Sequence, residues 1–350
     1  MARGGAAVKA RYGNAADHRR YARAVSGPGG SLIIEVVPRS PYRLSARRWP
    51  DGVARTRNGV YERFLHIEGA PILIRAWQGP GKAVSIAAMP VPPAWLETRA
   101  FAGPVARREE LEAALDCGRR ALGVDDDLSE FHQRFKRDPL LGPLIRRKPW
   151  LRPRRSAQLW DALAWAITEQ LIEGTEAHAI QRRIVRRWGS AMLVPGCRVP
   201  LRDVPDAASI AQLAPAELTA CDLASKRAIA MIKVAREVAS GRADLSTAAC
   251  NDRLVRISEI GPWTLQCLGL NGRGDLDALP AGDLAYVKLV GHLSGKGRRA
   301  TTDEVNEYYE RFAPYRGIAG LLTLSGGLTR GLPAAPPLKY HPANPELEAA

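Results

Sequence analysis

The chain contains no stretch of about 18 uninterrupted apolar residues, the length a membrane-spanning helix needs. Its start shows no apolar block between a basic end and a small-residue cleavage site. A membrane anchor and a secretory leader are therefore not expected, and a soluble cytoplasmic protein is. Cysteine is scarce and scattered, with five residues at 117, 197, 221, 250 and 267. An odd number at irregular spacing excludes a disulfide framework and offers no zinc pattern. Acidic residues are outnumbered, 36 Asp and Glu against 51 Lys and Arg, which leaves a formal charge of +15. Such a surface attracts a polyanion, so nucleic acid is the first partner implied and an anionic membrane the second.

With 350 residues the chain can build two or three cores rather than one. Residues 1–30 mix Gly, Ala, Arg and Tyr without a period and read as a basic flexible arm. Strand-like runs at 32–37, 60–67, 71–77 and 83–86, separated by Pro and Gly turns, predict a small antiparallel α+β domain over 31–105. Residues 106–330 are expected to be helical. The near-continuous apolar character of 157–167 predicts a central buried helix, and 224–239 a further helix that Gly241 stops. Residues 195–205 read as a linker, and the proline-rich 331–350 as a tail.

Residues 254–270 predict two short helices joined at Gly261, with Pro262 in the first turn of the second, where its missing N–H costs nothing. Backbone N–H groups at such a helix start suit a phosphate contact that reads no base. Taken alone, the turn is equally an ordinary helix corner. Asp283 follows Pro280-Ala281-Gly282 and precedes an apolar helical run. An aspartate there is more often an N-cap than a catalyst.

Together these segments resemble the DNA-3-methyladenine glycosylase II family of the helix-hairpin-helix DNA glycosylase superfamily. The family hairpin reads Leu-Pro-Gly-Ile-Gly-Arg-Trp-Thr-Ala, and this chain has Ile257-Ser258-Glu259-Ile260-Gly261-Pro262-Trp263-Thr264-Leu265. The second glycine, the tryptophan and the threonine match, while Glu259 stands at the first glycine. Leu279-Pro280-Ala281-Gly282-Asp283 resembles the segment that carries the family's catalytic aspartate, and the match gives that role to Asp283. Residues 166–173 resemble Ala-Ile-x-x-Gln-Gln-Val-Ser, with Gln170 matching and Leu171 and Glu173 departing. Pro314 and Arg316 match a Trp-x-Pro-Trp-Arg-Ser element.

The resemblance implies an α+β protein, in which a small N-terminal antiparallel sheet domain precedes a two-lobed all-helical core with its helix-hairpin-helix at about 248–270. It implies hydrolysis of the N-glycosidic bond of alkylated purines of the 3-methyladenine type, in base excision repair. The partner would be damaged double-stranded DNA and the enzyme a monomer, cytoplasmic and nucleoid-associated. Gln170, Ile260, Gly261, Trp263, Thr264, Tyr286 and Lys288 are the residues expected to meet DNA. A monovalent cation on the hairpin backbone near Ile257 and Ile260 is implied. An iron–sulfur cluster is not, because only Cys267 lies beyond residue 250.

One carboxylate can suffice for this chemistry. A ring-methylated purine already carries positive charge and leaves readily, so a fixed anion need only stabilise the oxocarbenium-like sugar and orient water. Superfamily members that also cleave the backbone have a lysine two residues after the second glycine. Trp263 stands there, which implies a monofunctional hydrolase. Two alternatives stay open: a glycosylase for another damaged base, and a non-catalytic DNA-binding damage sensor.

Overall fold

The computed structural model describes residues 24–44, 49–97 and 103–326. The expected tail at 331–350 and residues 1–23 of the expected arm lie outside the described residues. The end of that arm differs from expectation, since Val25–Ser26 (β1) pairs with Leu32–Val36 (β2) through a 3-10 turn at Pro28–Gly30. Ala54–Arg57 (β3), Val60–Ile67 (β4), Ala70–Gln78 (β5) and Val84–Pro90 (β6) complete a six-stranded antiparallel sheet in the order β1-β2-β6-β5-β4-β3.

Period-2 alternation sends Leu32 and Ile34, Ile72 and Ile74, and Val84 and Ile86 to one face. There α1 (Arg108–Leu122) lays down Leu111, Ala114 and Leu115. Gly118 permits this approach, because a Cβ on it would stand 3.0 Å from an Ile74 methyl. Expected to open the helical region, α1 therefore belongs to the sheet by packing. Phe64 and Leu73 line the other face, where Met192 and Leu201 of a short hairpin, β7 (Ala191–Met192) and β8 (Leu201–Arg202), cover them. Residues 195–205 are thus the turn and second strand of a covering hairpin rather than a linker.

The remaining helices are α2 (Ser129–Phe135), α3 (Leu141–Arg147), α4 (Leu159–Glu169), α5 (Gly174–Trp188), α6 (Ala207–Ala211), α7 (Pro215–Thr219) and α8 (Ser225–Ala239). After them come α9 (Asn251–Leu254), α10 (Pro262–Cys267), α11 (Leu284–Leu293), α12 (Thr302–Glu310) and α13 (Arg316–Ser325). They form two lobes with separate cores. Leu163, Ile167, Ile184, Met231, Leu254 and Ile260 hold the first together around α4. Phe131, Phe135, Tyr286, Tyr309, Phe312 and Ile318 hold the second, built from α2, α3 and α11–α13. No helix among the described residues is long and apolar enough to cross a membrane.

Both ends of α4 are fixed by side chains from elsewhere. At its start, the fully buried Arg63 of β4 pairs with Asp161 at 3.0 Å and with Asp203 at 2.9 Å, and His66 Nδ1 lies 2.8 Å from the other Asp203 oxygen. Burial pushes the Asp161 carboxyl up to about 6, against the pull of the Arg63 guanidinium. At its end, Arg227 donates to the carbonyls of Thr168 and Gln170, at 3.3 and 2.6 Å, two acceptors the helix leaves without intrahelical partners.

Removing Arg63 would leave two buried carboxylates without a cation. Arg63→Met should cost about 3–5 kcal/mol of unfolding free energy in a denaturant titration. Neutralising both partners, Asp161→Asn with Asp203→Asn, should recover part of that loss. An unchanged midpoint in Arg63→Met would show that the network does not hold the domains.

Candidate active site

The hairpin comprises α9, a turn over 255–261, and α10. Its backbone enters the left-handed region at Glu259, with φ of 74°. That is the position where the family pattern has glycine, so the glutamate carries the strain a glycine would avoid. Gln170, the residue just after α4, donates its side-chain N–H groups to the Glu259 carbonyl (2.6 Å) and to the Thr264 hydroxyl (2.8 Å). Gly261 precedes Pro262 at the start of α10. The N–H groups of Trp263 and Thr264 fall in the first turn, where a helix supplies no acceptor of its own.

Of the residues expected to meet DNA here, Gly261 and Trp263 are half-exposed, whereas Ile260 and Thr264 are buried, Thr264 to 1 %. Thr264 therefore shapes the turn from inside, where its hydroxyl meets the side chain of the half-exposed Gln170. Ile260 anchors the turn in the first lobe's core. Around Ile257 and Ile260 the turn closes on itself, since the Ile260 N–H donates to the Ile257 carbonyl at 3.0 Å. A cation at this turn would draw on backbone carbonyls alone. Among the described residues, no group of three or more His, Cys, Asp and Glu is placed to hold a metal.

Asp283 caps α11, its Oδ1 accepting from the Ala285 N–H at 2.8 Å. It is half-buried, and its second oxygen has no hydrogen-bond partner among the described residues. The loop before it is clamped. Asp277 accepts from the Arg316 backbone N–H and Nε, both at 3.0 Å, and from Nη2 at 2.5 Å. Burial alone would raise the Asp277 carboxyl, and the Arg316 bonds outweigh it and hold it below the usual range. Asp277 is thus one half of a structural ion pair with Arg316. Gly317 lets α13 close on the loop, because a Cβ there would lie 2.3 Å from the Ala278 carbonyl oxygen.

A cavity of about 250 Å³ lies between α4, α5, α10 and the segments around 49–51 and 154–156. Ala162, Trp165, Ala166 and Glu169 line it from one face of α4, at the i, i+3, i+4, i+7 spacing of a helix stripe. Opposite them stand Cys267 and, in a π-helical turn at Leu268–Arg273, Asn271. His178 and Gln181 of α5 and the loop residues Trp49 and Asp51 close the sides. Burial raises the Glu169 carboxyl, and the Asp283 charge adds to that rise. Burial also raises the Cys267 thiol well above its usual value, again with a contribution from Asp283. Asp283 does not line the cavity, but its charge reaches Glu169 and Cys267, which do. Trp263 stands one helical turn before Cys267, on the same side of α10.

Tyr286 does not join this cavity. It is buried in the second lobe with its ring edge-on to Tyr309, 5.9 Å between centroids, so it stabilises α11 and offers no face to a base. Lys288 is half-exposed one turn after Asp283. Trp160 is core, its Nε1 donating to the Pro205 carbonyl. A second hollow of about 400 Å³ lies between α10 and the Asp277–Arg316 pair. Its carboxylates are both engaged, Asp275 by the Asp277 N–H and Asp277 by Arg316.

Two exposed leucines flank the site: Leu171, 79 % exposed with φ of 55° just after Gln170, and Leu284, directly after Asp283. Part of the basic character is engaged within the fold. Arg152 is buried against Gly123 and Ser40, Arg155 pairs with Asp126 at 2.8 Å, and Lys296 and Arg298 both pair with Glu304.

No protein-family profile matches the chain. Over 190 residues, 53 % of its length, it is 27 % identical to a DNA-3-methyladenine glycosylase of Bacillus subtilis (strain 168), and the match spans 62 % of that protein. Its fold is similar to that of a 3-methyladenine DNA-glycosylase from Archaeoglobus fulgidus, with a TM-score of 0.69 at 19 % identity over 85 % of this chain and 99 % of that one. It is similar also to an 8-oxoguanine glycosylase/lyase from Clostridium acetobutylicum, with a TM-score of 0.62 at 15 % identity over 87 % and 98 %. The architecture of a sheet domain followed by a helical helix-hairpin-helix core is therefore shared with solved DNA glycosylases.

Glu259→Gly should relieve the left-handed strain at the turn and raise stability by about 0.5–1 kcal/mol, net of the extra freedom glycine has in the unfolded chain. Thermal melts of the two proteins decide this. A lower melting temperature in the glycine variant would mean that the Glu259 side chain contributes more than its backbone costs.

Proposed function

We propose that the chain is a monofunctional DNA glycosylase that hydrolyses the N-glycosidic bond of alkylated purines, of the 3-methyladenine type, in double-stranded DNA. The observation that carries this reading is Asp283, a half-buried carboxylate with one oxygen in an N-cap bond, whose charge reaches Glu169 and Cys267 in the lining of a base-sized cavity. The cap fixes the side chain in one rotamer, so its second oxygen is preorganised to face a sugar as positive charge develops on it. The same oxygen can orient water toward the anomeric carbon and take its proton. Trp263 occupies the place of the lysine that a Schiff-base mechanism would use, so the product is an abasic site and a free base.

Reaching the anomeric carbon requires the nucleotide to leave the stack. Leu171 is placed to take the vacated space: an apolar side chain, almost fully exposed, held out on a left-handed residue next to the hairpin anchor. The Trp263 N–H at the start of α10, on a half-exposed residue, can supply a phosphate contact without base specificity. The protein would act as a monomer in the cytoplasm.

Base release from methylated duplex DNA tests the reading. Asparagine caps helices as well as aspartate does, so Asp283→Asn should fold normally and keep near-normal affinity for DNA. Its release rate should fall on the order of 10²–10³-fold. Equal rates in the two proteins would remove Asp283 from the mechanism. Tight binding with no release by the wild type would instead favour a damage sensor.

A further inference from the structure

The cavity holds a carboxyl group that the mechanism above does not use. Glu169 ends α4 on the stripe that lines the cavity, and Gln181 Nε2 donates to its Oε1 at 3.2 Å. Its other oxygen has no hydrogen-bond partner, and no ion pair joins Glu169 to a cation among the described residues. Glu169 is half-buried, and a carboxylate drawn partly out of water without a direct ion pair is stabilised by a cation that enters the site.

The neighbours do not supply that charge. From the loops, Asp51 and Arg154 face Glu169, while Asp283 stands at the start of α11 and Cys267 on α10. From α5 come Gln181 and His178, whose imidazolium is disfavoured by burial and by Arg154 and Arg182, with Asp51 opposing them. The Arg154 guanidinium lies over the Trp49 ring, 5.6 Å from its centroid. Asp51 and Glu169 line the space together with the guanidiniums of Arg154 and Arg155, and Arg155 is already paired with Asp126 at 2.8 Å. The ring of Trp165, held by an Nε1 bond to Asp51 at 3.2 Å, gives the same space an aromatic wall that also favours a cation. At about 250 Å³ the cavity suits one nucleobase, being smaller than the roughly 300–1,000 Å³ usual for drug-sized ligands.

We propose that Glu169 is a specificity residue of this cavity, whose carboxylate selects a nucleobase carrying positive charge over a neutral base of the same shape. The inference rests on the glycosylase reading for its biological meaning, yet it concerns the base pocket and can be tested without turnover. It divides the work between two carboxylates, with Asp283 facing the sugar and Glu169 the base. A purine methylated at a ring nitrogen enters already cationic, and its charge completes the pair that Glu169 lacks. A neutral purine leaves Glu169 unpaired, a penalty that appears as discrimination.

Burial lifts the Glu169 carboxyl above its ordinary value, Asp51 and Asp283 lift it further, and the Gln181 bond opposes them. The charge is present above that raised value and is lost as pH falls through it. Preference for the cation should therefore fade on acidification at a pH where an ordinary glutamate would still be ionised.

Glu169→Gln keeps the shape and the acceptor for Gln181 while removing the charge. In the first experiment, tryptophan fluorescence reports binding of 7,9-dimethylguaninium and of neutral 9-methylguanine to the full chain. The wild type should prefer the cation by roughly tenfold or more, and the variant should bind both alike, with affinity for the neutral base unchanged and no pH dependence of the preference. Equal affinities in the wild type, or a preference that survives in Glu169→Gln, would overturn the proposal. The second experiment compares release of 7-methylguanine and hypoxanthine from duplex DNA. Selective loss of 7-methylguanine release in the variant supports the proposal, and a parallel loss of both opposes it. If the wild type binds the cation selectively but releases neither base, the glycosylase reading fails and the pocket assignment stands.

Discussion

Everything at the candidate site is referred to one buried guanidinium. Arg63 belongs to the sheet, Asp161 to the first turn of α4, and Asp203 to the segment after β8, and the three meet where water is excluded. Charges in such a place are tolerated only when paired in good geometry, so the sheet, the hairpin beneath it and the central helix are held at one relative position. The far end of α4 then carries Glu169 into the cavity and Gln170 onto the Glu259 carbonyl. A displacement at Asp161 would be transmitted along the rigid helix to the hairpin turn and the base pocket together.

The second lobe reaches the site by a different route. Asp277 and Arg316 tie the loop before Asp283 to the start of α13, and the rings of Tyr286, Tyr309 and Phe312 pack α11 against α12. Asp283 and the hairpin thus sit on separately cored lobes, and the open space between them is a consequence of two cores that do not merge.

Local patterns made much of this legible from the amino acids. Alternation in β2, β5 and β6 marks the buried face because each side chain's direction follows from a period of two. The apolar run over 157–167 marks α4 because a helix buried all round needs no polar stripe. The hairpin and Asp283 were legible through short spacings that a known family shares. What remained hidden depends on distance in the chain. Asp161 reads as a polar interruption until Arg63, 98 residues earlier, is placed beside it. Tyr286 and Thr264 sit within recognisable segments, but which way a helix residue points depends on the lobe that covers it. Glu169 looks like an ordinary solvated helix end, and nothing local announces that Trp49, Asp51 and His178 close around it. The two-residue strands β7 and β8 are too short to show any period.

The inward use of so many arginines changes what the net charge means. Arg152 and Arg155 are buried and Arg63 is enclosed by Asp161 and Asp203. None of these groups is free to displace condensed ions from a phosphate backbone. The number of counterions set free on association, and so the slope of log affinity against log ionic strength, follows the exposed cations that lie at the contact, such as Arg134, Lys136, Arg137, Arg146 and Arg147, rather than the formal total. The buried arginines would leave that slope unchanged, because a side chain already enclosed by the fold has no condensed ion to displace.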